Sequence, residues 1–133
     1  MVKAVILCVD DEIGVLNSLK IQLKNEFSDT YLYEAAESAD EALELIEELQ
    51  QEQIDIVVVV SDWLMPGIKG DEFLIRVHQK FPKIVKIMLT GQADQQAIKR
   101  ALEEANLHGC LHKPWESKEL IKTIRTGIEK LAG

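Results

Sequence analysis

The sequence predicts one α/β domain over residues 1–133, built on a parallel sheet with helices on both faces. Three observations carry that prediction. Short apolar runs rich in β-branched residues alternate five times with segments of helical periodicity, and strands each followed by a helix make a parallel sheet. The chain has 133 residues, 47% of them hydrophobic and 29% charged, which suits one core and needs no disulfide staples. The valine run at 57–60 is continuous rather than alternating, as in a strand covered on both sides.

The elements follow in order. A first strand is expected over 4–9, where AVILCV stops at Asp10. Val15, Leu16, Leu19 and Leu23 then recur at spacings of three and four, one apolar helix face. The second strand, 30–35, carries Tyr31, Tyr33 and Glu34 and reads as an edge. Ser38 with Glu41 three residues on is a capping box opening a helix with Ala39, Ala42, Leu43, Ile46 and Leu49 inside. The third strand, 54–61, ends against Asp62, and Phe73, Leu74 and Val77 mark a helix beginning near Gly70 and Asp71. After a fourth strand at 84–89, the next helix turns Ala97, Ile98, Ala101, Leu102 and Ala105 inward. Such small residues predict the loosest packing of the set. A fifth strand at 109–112 leads to a last helix with Leu120, Ile121, Ile124, Ile128 and Leu131 inside. The first and third strands are the most apolar and belong at the centre of the sheet.

The formal net charge of −8 argues against direct contact with nucleic acid or an anionic membrane. It suits a divalent cation or a basic partner. No apolar stretch is long enough to span a bilayer, and the acidic turn after the first strand excludes a signal peptide there, so the expected compartment is the cytoplasm. Cys8 and Cys110 lie in strand-like runs and form no disulfide framework.

In open parallel sheets, function collects beyond the carboxyl ends of the strands. Those ends carry Asp10, Asp11 and Glu12 after the first, Asp62 after the third, Thr90 and Gly91 after the fourth, and Lys113 with Pro114 after the fifth. Asp62 is too far from the next helix to serve as its N-cap. With the first and third strands adjacent, three aspartates converge, and their repulsion calls for a cation. A hard divalent ion such as Mg²⁺, which takes one or two carboxylates and keeps several waters, meets that need. A carboxylate nucleophile, a metal, a lysine and a hydroxyl together suit transfer of a phosphoryl group. Glu12 reads instead as a favourable acidic residue at a helix start. His108, Cys110 and His112 alternate on one strand face, with no fourth ligand evident for a metal. Trp63 and Trp115 flank the site, suited either to partial burial with a bonded indole N–H or to partner contact.

VDDE at 9–12, SDWLMPGIKGDEF at 61–73, LTG at 89–91 and HKPW at 112–115 resemble, in order and interval, the receiver domain of two-component response regulators. The resemblance covers essentially the whole chain and is nearest the chemotaxis-type receivers, while Lys-Pro-Trp resembles receivers fused to cyclic-dinucleotide phosphodiesterases. It implies a flavodoxin-like (βα)5 fold with strand order 2-1-3-4-5, which sets Cys8 and Cys110 too far apart to bridge. It implies that Asp62 accepts a phosphoryl group from a histidine kinase or a histidine phosphotransfer protein. Asp11 is then a direct Mg²⁺ ligand, Asp10 holds the ion mostly through water, and the Leu64 backbone carbonyl completes the protein's share. Thr90 moves its hydroxyl onto the phosphoryl group, Lys113 pairs with it, and Pro114 matches the family's cis-proline. The partners implied are that kinase or phosphotransfer protein, a downstream protein or fused output domain, and a second copy in a homodimer.

Three positions differ from the family's habits or bear on lifetime. Cys110 stands where an aromatic residue usually reports activation. Leu64, two past Asp62, cannot hydrogen-bond an attacking water, whereas Gln92, two past Thr90, can. Two other classes remain in view: a Mg²⁺-dependent aspartyl-phosphate phosphohydrolase, whose general-acid aspartate would stand where Leu64 is, and a receiver-like module that binds partners without phosphorylation.

Overall fold

Side chains alternate across a strand, and in this sheet the alternation sorts the core into two layers. The structure, a computed structural model, describes residues 3–91 and 95–132. Its five strands are β1 (Val5–Val9), β2 (Leu32–Ala36), β3 (Ile56–Asp62), β4 (Val85–Thr90) and β5 (Gly109–His112). All pair in parallel, in the order β2-β1-β3-β4-β5. The helices are α1 (Ile13–Phe27), α2 (Ala39–Gln51), α3 (Gly70–Lys80), α4 (Gln95–Glu104) and α5 (Ser117–Ala132).

Along β1, Val5, Leu7 and Val9 face a layer with Val59, Met88, Ile46, Phe73 and Leu74, under α2, α3 and α4. Ile6 and Cys8 face the opposite layer with Val58, Val60, Leu16, Leu19, Leu23, Leu120 and Ile124, under α1 and α5. The flavodoxin-like fold, the strand order and the double cover are therefore as the sequence predicts. The β1–β3 register slips by one residue: Val5 faces Ile56, but Ile6 faces Val58, leaving Val57 as an extra residue in β3.

The strand ends differ in detail from the sequence pattern. Thr30 and Tyr31 lie outside β2, because a 3-10 turn at Ser28–Thr30 follows α1 and the Tyr31 ring packs edge-on against Phe27 at 5.6 Å. β3 starts at Ile56 rather than at 54, because the Ile54 N–H closes the end of α2 on the Leu49 carbonyl at 2.9 Å. Ser38 Oγ accepts from the Glu41 N–H at 3.1 Å, but the Glu41 carboxylate reaches the N–H of Glu37, one residue short of a reciprocal capping box. Leu102 and Leu131 are 53% and 42% exposed, contrary to their expected inward setting, since each sits at the margin of its helix's buried stripe. Ala97, Ala101 and Ala105 are buried as expected. Among the described residues, no helix is long and apolar enough to cross a membrane.

Candidate functional site

The strands all point their carboxyl ends to one rim, and register decides which side chains meet there. Val9 lies opposite Ser61, so Asp10, just past β1, comes beside Asp62, the last residue of β3. One carboxylate oxygen each from Asp10, Asp11 and Asp62 lies within 4.8 Å of the others. Asp10 is fully buried and Asp62 is 4% exposed, whereas Asp11 is open to solvent.

Lys113 supplies the opposing charge. Its Nζ donates to Asp10 Oδ2 at 2.8 Å and lies 3.1 Å from Asp62 Oδ1. The backbone helps aim it: the Lys113 N–H donates to the Thr90 carbonyl at 2.9 Å, and the Lys113–Pro114 peptide bond is cis. Burial and the neighbouring Asp10 charge push the Asp62 carboxyl above its ordinary range, against the opposing pull of Lys113. Burial alone would lower Lys113, but its hydrogen bonds to Asp10 and Asp62 and their charges carry it upward. Thr90 is buried at the end of β4, level with His112.

The turn after Asp62 is built by close backbone contact. Trp63 donates its N–H to the Leu89 carbonyl and accepts at its own carbonyl from the Gly70 N–H, both at 2.8 Å. A Cβ on Gly70 would sit 2.3 Å from the Asp62 carbonyl oxygen, so only glycine lets the first turn of α3 pack there. Gly67 takes φ +79°, the left-handed region that the turn requires. Leu64, in this turn, is 54% exposed beside the rim.

The donor set fits a hard divalent cation. All three groups are carboxylates, and Asp11 and Asp62 retain oxygens not taken by Lys113. Asp10 differs: Oδ1 accepts from the Glu12 N–H at 2.9 Å and Oδ2 from Lys113, so both of its oxygens are engaged. That favours contact through water at Asp10 and direct ligation at Asp11.

The indole N–H groups are both bonded, Trp63 to Asp71 Oδ1 at 3.2 Å and Trp115 to Gln22 Oε1 at 2.8 Å. His108 Nε2 is engaged by the Thr123 carbonyl and Thr126 Oγ1, and Cys110 packs towards the α2–α4 layer. Gln92 lies outside the described residues. Two features had no sequence signal strong enough to single them out. One is Lys86 in β4, 1% exposed and donating to the Ile84 carbonyl at 2.7 Å, with His78 Nδ1 at 3.1 Å. The other is Arg100 of α4, which bridges Asp71 and Glu72 of α3.

The response regulator receiver domain profile matches residues 6–125. Over 127 residues, 96% of the chain, it is 35% identical to the hydrogenase transcriptional regulatory protein HoxA of Cupriavidus necator, and covers 24% of that protein. It is 28% identical to the chemotaxis protein CheY-3 of Vibrio cholerae, covering 95% of this chain and 92% of that one. Among solved structures, the signal receiver domain of an HD domain-containing protein from Pseudomonas fluorescens Pf-5 superposes with TM-score 0.87 at 29% identity, covering 98% of each chain. The chain spans about a quarter of the length of the HoxA proteins it matches.

Proposed function

The chain belongs to the response regulator receiver domain family, and from that premise we propose that Asp62 is its phosphoacceptor. Receiver domains are phosphoacceptors of two-component signalling rather than enzymes in their own right, and they bind Mg²⁺ at an acidic aspartate cluster. The observation that supports Asp62 most directly is the convergence of three carboxylates within 4.8 Å, with Lys113 joined to two of them.

An Asp62 carboxylate oxygen attacks the phosphorus of a phosphohistidine on a histidine kinase or histidine phosphotransfer protein. The new P–O bond forms as the P–N bond breaks, and the departing imidazole takes a proton. When bound, Mg²⁺ neutralises charge on the phosphoryl oxygens; Asp11, the Leu64 carbonyl and Asp62 would hold it, with Asp10 acting through water. Lys113 exchanges its carboxylate partners for a phosphoryl oxygen, and Thr90 donates its hydroxyl to another. The same site takes a phosphoryl group from a small donor and later loses it to water without a second protein. Residues 1–133 act as one receiver unit in the cytoplasm, and its altered face meets a downstream protein, a fused output domain or a second copy.

Intact-mass measurement with Mg²⁺ and acetyl phosphate tests this reading. The expected result is one slowly lost phosphoryl group, absent without Mg²⁺ and absent in Asp62→Ala. Rapid multiple turnover of the donor would indicate a phosphohydrolase, and no adduct at all would indicate a module that works unphosphorylated.

A further inference from the structure

We propose that Asp71 and Arg100 form a positioning link through which occupancy of the Asp62 site is felt at α4, an inference that rests on the phosphoacceptor reading above. The link begins at Trp63, which stands between Asp62 and Leu64, the two neighbours through which the site would hold its ligands. Its backbone is fixed on both sides, to Leu89 and to Gly70, and Lys69 Nζ lies 5.2 Å from the centre of its ring. The indole is buried, and its one polar atom donates to Asp71 Oδ1 at 3.2 Å.

Asp71 is itself a buried carboxylate. Its other oxygen accepts from Arg100 Nη1 at 3.2 Å, while Arg100 Nη2 donates to Glu72 Oε1 at 2.6 Å and Nε faces Glu104 at 3.4 Å. One guanidinium fork therefore spans two carboxylates on the first turn of α3, and Arg76 holds the second carboxylate from the other side at 2.9 Å. A carboxylate in this setting is tolerated because both oxygens are bonded. Any shift of the indole leaves Asp71 with one partner and re-aims its hold on Arg100. The apolar part of the α3–α4 contact is modest on the α4 side, where the buried residues are Ala97 and Ala101, with Ile98 partly buried beside them. The polar fork adds a directional hold between the two helices. It runs on the α3 side of the sheet and makes no use of Cys110.

Beryllofluoride with Mg²⁺ serves as the phosphoryl stand-in. Its bound form is read by fluorine NMR, and amide hydrogen exchange is followed across residues 95–104. In the wild type, loading is expected to change exchange in α4 by about fivefold, the scale of an ordinary coupling between sites. Arg100→Gln, a change at a partly exposed residue, and Asp71→Asn are expected to load normally yet alter α4 by less than about twofold on loading. A link with only a structural role would change exchange equally with and without beryllofluoride, which would overturn the proposal. So would normal loading of the wild type with no change in α4, or an undiminished change in both variants. Failure of the wild type to show a bound fluorine signal would instead sink the Asp62 reading, and this inference with it.

Discussion

Lys113 bonds the carboxylates of Asp10 and Asp62 and leaves Asp11 open to solvent, so the site is only partly neutralised by its own side chains. Mg²⁺ should therefore raise the thermal midpoint, by about 2.7 kcal/mol of stability at a hundredfold excess over Kd, and Asp11→Asn should gain far less. Identical midpoints with and without the ion would remove Asp11 as a ligand. Leu64, exposed at the rim, offers no hydrogen bond to a water approaching the phosphoryl group. Leu64→Asn should accordingly lose its phosphoryl group faster than the wild type in matched decay measurements; equal rates would show that this side chain does not govern lifetime. Lys86 gives the clearest pH signature. Burial lowers it from 10.5 to about 8, so between those values the unfolded chain binds a proton that the folded chain does not. Stability from this group thus rises with pH across that window, and below it the cost of the buried charge, on the order of 3 kcal/mol, is present in full. His78, held down by burial and by Lys86, titrates below the window. Lys86→Met should exceed the wild type in stability at pH 7 by a margin that shrinks towards pH 10. A constant margin in denaturant titrations at the two pH values would refute this. The site carboxylates were legible in the sequence because each interrupts an apolar strand at its end, where no packing role explains it. Lys86 was not, because nothing local in VKIMLT tells a lysine that reaches past the covering helices to solvent from one held inside by the Ile84 carbonyl and His78.

At the scale of elements, the close approach of α3 to β3 turns on one missing methyl group. A Cβ at Gly70 would meet backbone atoms of Asp62 and Trp63 rather than a side chain that could move aside. Gly70→Ala should cost about 1–3 kcal/mol, as overpacking does, and should also weaken Mg²⁺ binding because the displaced backbone carries Asp62. Gly14, in the first turn of α1, has open space within 4 Å of where a Cβ would sit and should gain up to about 1 kcal/mol on becoming alanine. Denaturant midpoints for the two variants check both signs, and a neutral Gly70→Ala would contradict the packing. Periodicity made the helices legible, since Leu16, Leu19 and Leu23 or Phe73, Leu74 and Val77 can share a buried face in only one secondary structure. It overreached at Leu102 and Leu131, where apolar character continues past the surface that the sheet can cover. The Arg100–Asp71 pair was invisible for a different reason: the partners are 29 residues apart, and nothing local in either segment distinguishes a bridging charge from a solvated one.

Across the whole molecule, strand order governs thiol chemistry. β3 and β4 separate β1 from β5, so Cys8 and Cys110 lie three strand spacings apart, about 14 Å at ~4.8 Å each. Both are free thiols, and a disulfide would need Cα atoms within about 7 Å. Burial pushes Cys8 up to about 12, and Cys110 is only half-buried. Thiol labelling of the native protein should modify Cys110 first and reach Cys8 only on unfolding; an intrachain bridge recovered without reductant would refute the sheet order itself. The same order has a consequence for synthesis. Lys113 and Asp10 meet across 103 residues of sequence. While the chain is being made, the acidic rim is synthesised well before its lysine, and the aspartates repel one another until β5 docks. A chain released before residue 113 carries Asp62 but lacks the lysine that pairs with it. Products that stop short of Lys113 are therefore poor decoys for a phosphoryl donor, because the residue that completes the site is made 103 residues after Asp10.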